Sequence, residues 1–154
     1  MEQRKTYEKS YLIITDEGKE KREQLVSAID EIAKADPDER FILVDPKRVE
    51  LEEYEKKVHL VGKRVKEPRE VEPLLKKLLK DIQERKAGKE WSSKTCLVIA
   101  EYGDIHDRCP ECDDLVLRIL QENYEGIRLV IATQREREMK KFVETLKKEG
   151  KGHE

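Results

Sequence analysis

The fold is decided by the stretch Arg40-Phe-Ile-Leu-Val-Asp-Pro-Lys-Arg-Val-Glu-Leu51. Its apolar run, residues 41–44, predicts a buried β-strand. Asp45-Pro46 ends that strand, because proline has no amide hydrogen to give to a sheet. A second stretch, Ile127-Arg-Leu-Val-Ile-Ala-Thr-Gln-Arg135, follows the same plan of apolar run and polar end. Apolar strands without alternating polar residues are typical of a parallel sheet that is covered on both faces.

Outward from these stretches, apolar strands alternate with amphipathic helices. Further strands are predicted at 11–15 and 95–100, with a short extended piece at 58–65. The spacing of apolar residues predicts helices at 16–34, 71–85, 113–123 and 136–148, and one helical turn at 49–54. This alternation predicts an α/β fold, a three-layer sandwich with a mostly parallel sheet of about four or five strands. Residues 1–154 then form one domain, with a frayed tail at 147–154.

Composition limits the function classes. Lys and Arg total 33 and Asp and Glu total 35, so the net charge of −2 argues against a dominant nucleic-acid surface. No apolar run is long enough to span a bilayer, and the N-terminus lacks a signal core. Three cysteines, an odd number, fit a reducing compartment, which predicts a cytoplasmic protein. The charged fraction of 44% resembles that of thermophile proteins or of designed ones.

The motif Asp45-Pro-Lys-Arg-Val-Glu-Leu51 resembles a signature of the FtsK/SpoIIIE family of DNA-translocating motor ATPases. Tyr54 and His59-Leu60 follow at family-like distances, and Ala132-Thr-Gln134 resembles a later family segment. The resemblance covers about residues 11–135. It implies a P-loop NTPase-like core whose acidic strand lies between the first strand and the Asp-Pro-Lys strand. A flavodoxin-like or Rossmann-like strand order is the alternative.

In the family, the first strand leads into a phosphate-binding loop. Such a loop needs glycines, because its amide groups must point at phosphate oxygens in conformations that side chains forbid. Here the segment Thr15-Asp-Glu-Gly-Lys-Glu-Lys-Arg22 holds a single glycine and three acidic residues. Gly18 and Lys19 are the nucleotide-binding candidates that remain. The alternative is an ordinary helix start with acidic residues in its first turn.

The acidic strand also departs from the family pattern. The resemblance implies an Asp that holds the magnesium water shell, followed by a Glu that polarises the attacking water. Ala100 stands at the Asp position and Glu101 at the Glu position, while Gln134 matches a polar residue that faces the γ-phosphate. The arginine that reaches a neighbouring subunit's nucleotide is replaced near Asn123. Glu101 and Gln134 are therefore the catalytic candidates that remain.

The segment His106-Asp-Arg-Cys109-Pro-Glu-Cys112 brings together three potential metal ligands. Two cysteines separated by two residues commonly form half of a zinc site. Asp104, Asp107, Asp113 or His153 could complete the set. A redox pair or disulfide is a second interpretation, and a loop without chemistry is the third. The prediction is no cofactor, with zinc on His106, Cys109 and Cys112 as the alternative.

Together these features predict a pseudoenzyme: an inactive FtsK-like domain that serves as a scaffold or interaction module. The alternative is a divergent nucleoside triphosphatase that uses Glu101, Gln134, Gly18 and Lys19, and the second alternative is the metal or redox protein. Basic residues in the middle of the chain alternate with acidic ones, which favours a solvated face over a DNA site. A protein partner or self-association is predicted, rather than DNA or a membrane.

Overall fold

A computed structural model describes residues 10–88, 94–122, 124 and 126–149; the side chains of His59, Lys148 and Glu149 are outside the description. Among these residues, no helix has the length and apolar content to cross a membrane. Strands and helices alternate along most of the chain. In order they are β1 (Tyr11–Ile14), α1 (Gly18–Ala35), β2 (Arg40–Val44), β3 (His59–Leu60), α2 (Val71–Lys86), β4 (Thr95–Ile99), α3 (Tyr102–Arg108), α4 (Cys112–Glu122), β5 (Ile127–Thr133) and α5 (Lys140–Glu149).

The five strands form one sheet in the order β1-β5-β4-β2-β3. Every pairing between them is parallel. The predicted parallel α/β sheet is confirmed. The acidic strand β4 lies between β1 and the Asp-Pro-Lys strand β2, as the resemblance implies, and β5 is inserted between β1 and β4. Because all five strands are parallel, their carboxyl ends lie at one edge of the sheet, and this is the edge where open α/β sheets bind ligands.

Helices cover both faces of the sheet, which gives three layers. On one face, α1 packs Leu25, Ile29 and Ile32 against inward residues of the strands such as Phe41 and Val98. On the other face, α2, α3, α4 and α5 share a larger core; its members include Leu75, Ile82, Ile105, Val116, Ile119 and Phe142. Successive strand residues alternate between the two cores, because side chains along a strand point to opposite faces.

Several boundaries differ from the predictions. Helix α3 was not predicted, because only Tyr102 and Ile105 give it an apolar side. The helix predicted at 136–148 is a 3₁₀ turn at Arg137–Met139 followed by α5. The turn predicted at 49–54 is a 3₁₀ helix at Glu52–Lys56. Of the predicted frayed tail, residues 147–149 belong to α5 and the rest lies outside the described residues, as do Asn123 and His153.

Candidate functional site

The catalytic candidates lie at the carboxyl edge of the sheet. Glu101 is separated from the end of β4 by a single residue, Ala100, and Gln134 directly follows β5. The segment 15–17 joins β1 to α1 at the same edge. Because neighbouring parallel strands end together, these three segments converge, and the structure brings Glu101, Gln134 and the start of α1 into one cluster.

The Glu101 carboxylate is the centre of this cluster. It accepts hydrogen bonds from the Lys21 ammonium on Oε1 (3.0 Å) and from the Gly103 amide on Oε2 (3.0 Å). The Gln134 backbone amide donates to Oε1 (3.1 Å), and the Thr133 hydroxyl donates to Oε2. Four donors match the roughly four lone-pair sites of a carboxylate. Glu101 is also 3% exposed, so it has no remaining oxygen site open to water.

Lys21 is the functional residue that the sequence interpretation missed. Its side chain is fully buried, and its ammonium also contacts the Glu50 carboxylate at 3.1 Å. Lys19, the predicted phosphate ligand, is exposed instead. The spacing carried a signal: Lys21 falls on the same helical stripe as the buried residues Leu25, Ala28, Ile29 and Ile32. A lysine on an apolar stripe needs a buried anionic partner, and here that partner is Glu101.

The segment between β1 and α1 does not form a phosphate-binding loop. It consists of Thr15, Asp16 and Glu17, and Gly18 is already the first residue of the helix. Within the described residues, positive φ angles occur at Arg48, Gly62 and Gly88, none of them in this segment. The Gln134 side-chain amide donates to the Asp16 carbonyl (3.3 Å), so Gln134 packs over the segment. A concave nest of amide groups needs left-handed residues, which this segment lacks.

The Asp-Pro-Lys motif has a structural role. Asp45 is fully buried, and its Oδ2 accepts hydrogen bonds from the Leu51 amide and from Arg64, both at 2.8 Å. Arg64 also donates to the Arg48 carbonyl (2.7 Å) and to Glu55 (2.9 Å). Arg48 adopts φ of 72°, which an L-residue rarely does, so the turn depends on these contacts. The motif thus ties the end of β2 to the segment that follows β3.

Three further ion pairs occupy the same edge. Arg135 makes a bidentate contact with Asp107, at 2.7 and 2.9 Å, and also contacts Glu138 at 2.9 Å. The Lys47 ammonium lies 3.3 Å from the Asp104 carboxylate, and both side chains are partly exposed. These contacts hold Arg135 and Lys47 against the protein surface.

The cysteine and histidine residues separate into two groups. Cys109 directly follows α3 and Cys112 begins α4; both are buried, with Sγ atoms 2.9 Å apart. Burial, the Cys109 thiol and the carboxylates of Glu72 and Glu111 raise the pKa of the Cys112 thiol. His106 points elsewhere, since its Nδ1 is 2.8 Å from Asp113 Oδ2. The structure does not bring His106 together with the two thiols, and metal binding stays a prediction.

Acid should remove the stabilisation that Glu101 provides. Burial raises the pKa of this carboxyl, but hydrogen bonds from Thr133 and Lys21 outweigh burial and hold the pKa below its ordinary value of 4.5. A lowered folded-state pKa gives stability that is complete above the ordinary value and is lost as the pH falls through the folded-state value. Urea unfolding between about pH 7 and pH 3 should therefore show a steeper acid loss in the wild type than in Glu101→Gln. Parallel pH profiles for the two proteins would contradict this.

Known proteins with a similar sequence pattern or a similar fold agree with the α/β architecture described above. The model of the FtsK/SpoIIIE family matches residues 25–144. Similar solved structures include the cytoplasmic domain of the type VII secretion ATPase EccC from Thermomonospora curvata, with a TM-score of 0.59 and 16% identity over 89% of this chain and 20% of that chain. ATPases 2 and 3 of EssC from Geobacillus thermodenitrificans give a TM-score of 0.62 and 12% identity over 94% of this chain and 28% of that chain.

At these identities the solved structures establish the fold alone, and the chain spans between a fifth and just over a quarter of their length. No curated protein matches the sequence significantly. The family match, in contrast, includes most of the chain, from the middle of α1 to α5, with the Asp-Pro-Lys motif inside it. The chain belongs to the FtsK/SpoIIIE family.

Proposed function

We propose that this chain is a catalytically inactive member of its family that acts as a scaffold or interaction module. The observation that carries the proposal is the saturated Glu101 carboxylate. In a family hydrolase this residue would polarise the attacking water, which requires a free oxygen site facing that water. Here all four sites are taken by Lys21, Gly103, Thr133 and Gln134.

In a nucleotide site, a bound magnesium ion would provide positive charge near these carboxylates. In this protein the buried Lys21 ammonium provides it. The ammonium forms ion pairs with Glu101 and Glu50 without any ligand, although one positive charge offsets only one of the two carboxylates. Ala100, fully buried, stands where the family carries the metal-side carboxylate. Phosphoryl transfer depends on a metal ion that bridges phosphate oxygens and neutralises developing charge. The residues of this edge therefore do not fit a magnesium–nucleotide complex.

The segment before the family match supports the same function. The match begins at residue 25, after the segment at 15–17 and the first turns of α1. That segment presents Asp16 and Glu17 on the surface, with Glu20 in the first helical turn. Three carboxylates repel a triphosphate, and no glycine-rich backbone opposes that repulsion.

A divergent nucleotide hydrolase is the competing function. It is favoured by the convergence of Glu101, Gln134 and Lys21 at the sheet edge where this fold class binds ligands. In that case nucleotide binding would have to draw Lys21 away from Glu101 and towards phosphate. This rearrangement breaks a buried ion pair, which costs about 3–5 kcal/mol before any gain from the ligand.

Calorimetric titration with Mg-ATP and Mg-GTP separates the two functions. For the scaffold we expect no binding heat and no change in the melting temperature at millimolar nucleotide. Phosphate release that is lost in Glu101→Gln would overturn the proposal, provided that Glu23→Gln, an exposed change on α1, retains the release. Binding heat without phosphate release would also count against it.

The partner of such a module is proposed to be a protein rather than DNA. Three basic residues after β2 are engaged within the chain: Lys47 with Asp104, Arg48 with Glu67 and Arg64 with Asp45. One solved neighbour is described as the cytoplasmic domain of a type VII secretion ATPase, which favours a protein partner over DNA. Fluorescence anisotropy with duplex DNA at about 0.15 M salt should show no saturable binding, and saturable binding would reject this choice of partner.

A further inference from the structure

The thiols of Cys109 and Cys112 lie near the carboxylates of Glu72 and Glu111, where α2 begins and where α3 is followed by α4. The Cys109 Sγ and one carboxylate oxygen each from Glu72 and Glu111 lie within 4.8 Å of one another. Cys112 lies outside this group of three, but its Sγ is 2.9 Å from the Cys109 Sγ. In the described part of the chain, no other group of three or more metal-ligating side chains comes this close together.

The local backbone explains the arrangement. The Cys112 amide donates to the Cys109 carbonyl (3.0 Å), and the Asp113 amide donates to the Pro110 carbonyl (3.0 Å). This tight turn directs both thiols to one side, as the spacing of two cysteines around two residues does in zinc sites. Glu72 is delivered separately, by the first turn of α2, next to the fully buried Val71.

We propose that Cys109, Cys112, Glu72 and Glu111 form a structural site for a thiophilic divalent cation of the zinc class. Two sulfur and two oxygen ligands supply the four-coordinate shell of a structural zinc ion, with carboxylates, which zinc also accepts, in place of the commoner histidines or further cysteines. Binding would release one proton from each thiol to solvent and form two metal–sulfur bonds. The site joins α2 to the connection between α3 and α4, two parts of the chain that are distant in sequence.

The surroundings suit a structural ion. Both thiols are buried, Glu72 is half-buried and Glu111 is exposed, so the ion would lie at the rim of the core with a path to solvent. The group that competes for Glu72 is Lys76, 3.3 Å away and largely exposed. An exposed pair of this kind contributes little, so metal can displace it. His106 takes no part, because its ring contacts Asp113.

Cobalt(II) provides a direct test on the intact, reduced chain. Titration should produce an intense near-ultraviolet thiolate-to-cobalt band that saturates at about one ion per chain and is removed by zinc. Cys109→Ser should abolish the band. Glu72→Gln, a nearly isosteric change of a half-buried side chain, should weaken binding by about tenfold or more.

Two control variants define the site. His106→Gln removes the ligand that the sequence favoured, and Asp114→Asn removes an exposed carboxylate of the same helix turn. Both should keep the wild-type cobalt affinity. Zinc should raise the melting temperature of the wild type and of both controls, but not of Cys109→Ser, because a ligand stabilises only the state that binds it.

Several outcomes would overturn the proposal. The first is the absence of the cobalt band in protein whose Cys96, Cys109 and Cys112 are shown by thiol titration to be free. The second is a loss of affinity in His106→Gln together with full affinity in Glu72→Gln. The third is a Cys109–Cys112 disulfide that forms on oxidation while the reduced protein binds no metal. None of these results bears on nucleotide binding.

Discussion

Replacing Lys21 by methionine is expected to lower the free energy of unfolding by about 3–5 kcal/mol, the usual cost of removing one partner of a buried ion pair. The ammonium is fully buried and contacts Glu101 at 3.0 Å and Glu50 at 3.1 Å. Methionine fills most of the space but leaves the Glu101 charge with neutral donors alone. Urea unfolding at neutral pH measures the loss.

Lys19→Met is the matched control, since Lys19 lies on the same helix but is exposed. It should change stability by no more than about 0.5 kcal/mol. The loss in Lys21→Met should also shrink on acidification, because protonation of Glu101 removes the unpaired charge. In Lys21→Met/Glu101→Gln the cost should fall below the sum of the two single changes. Equal effects of the Lys21 and Lys19 variants would contradict the buried pair.

Arg64→Met is expected to have a similarly large effect, about 3–5 kcal/mol, because it isolates the buried Asp45 carboxylate. Asp45 Oδ2 would keep the Leu51 amide as its donor. Asp45 Oδ1 is already buried without a hydrogen-bond partner among the described residues, so no second oxygen compensates. The Arg48 carbonyl would also lose its donor. Chemical denaturation of the purified variant is the measurement.

Arg48→Met serves as the control from the same motif. Arg48 pairs with Glu67, and both side chains are about half exposed, at 57% and 44%. Such surface pairs are worth between about 0 and 1 kcal/mol, so this variant should remain close to the wild type. If Arg48→Met and Arg64→Met cost the same, the Asp-Pro-Lys motif would not owe its rigidity to the buried Asp45–Arg64 pair.

The strands were predictable because their signal is local. Residues 41–44 and 129–132 are apolar runs long enough to be strands and too short to be helices. Their polar ends, Asp45 and Thr133-Gln134, correctly placed the carboxyl edge of the sheet. The helix α3 left no such signal, since its only inward apolar side chains, Tyr102 and Ile105, are three residues apart in a polar segment.

The details of the site depended on partners that are distant in sequence. Lys21 and Glu101 are 80 residues apart, so the helical spacing around Lys21 indicates its burial but not the partner that makes this burial possible. The short-range pattern favoured Lys19, which follows the lone glycine. The metal ligands were predicted from sequence proximity in the same way. His106 is near Cys109 in sequence, whereas Glu72, from the start of α2, is near it in space.

The pairing of β1 has a consequence for how this protein is synthesised. Among the described strands, β1 is bonded only to β5, and the Ser10 hydroxyl accepts a hydrogen bond from the Leu129 amide, 119 residues later in the chain. A nascent chain on the ribosome therefore carries β1 without its neighbour until β5, at residues 127–133, has been translated. Contacts over such separations slow folding. The β2–β4 pair can assemble earlier, whereas β1 can be added at the edge of the sheet only after β5 is present.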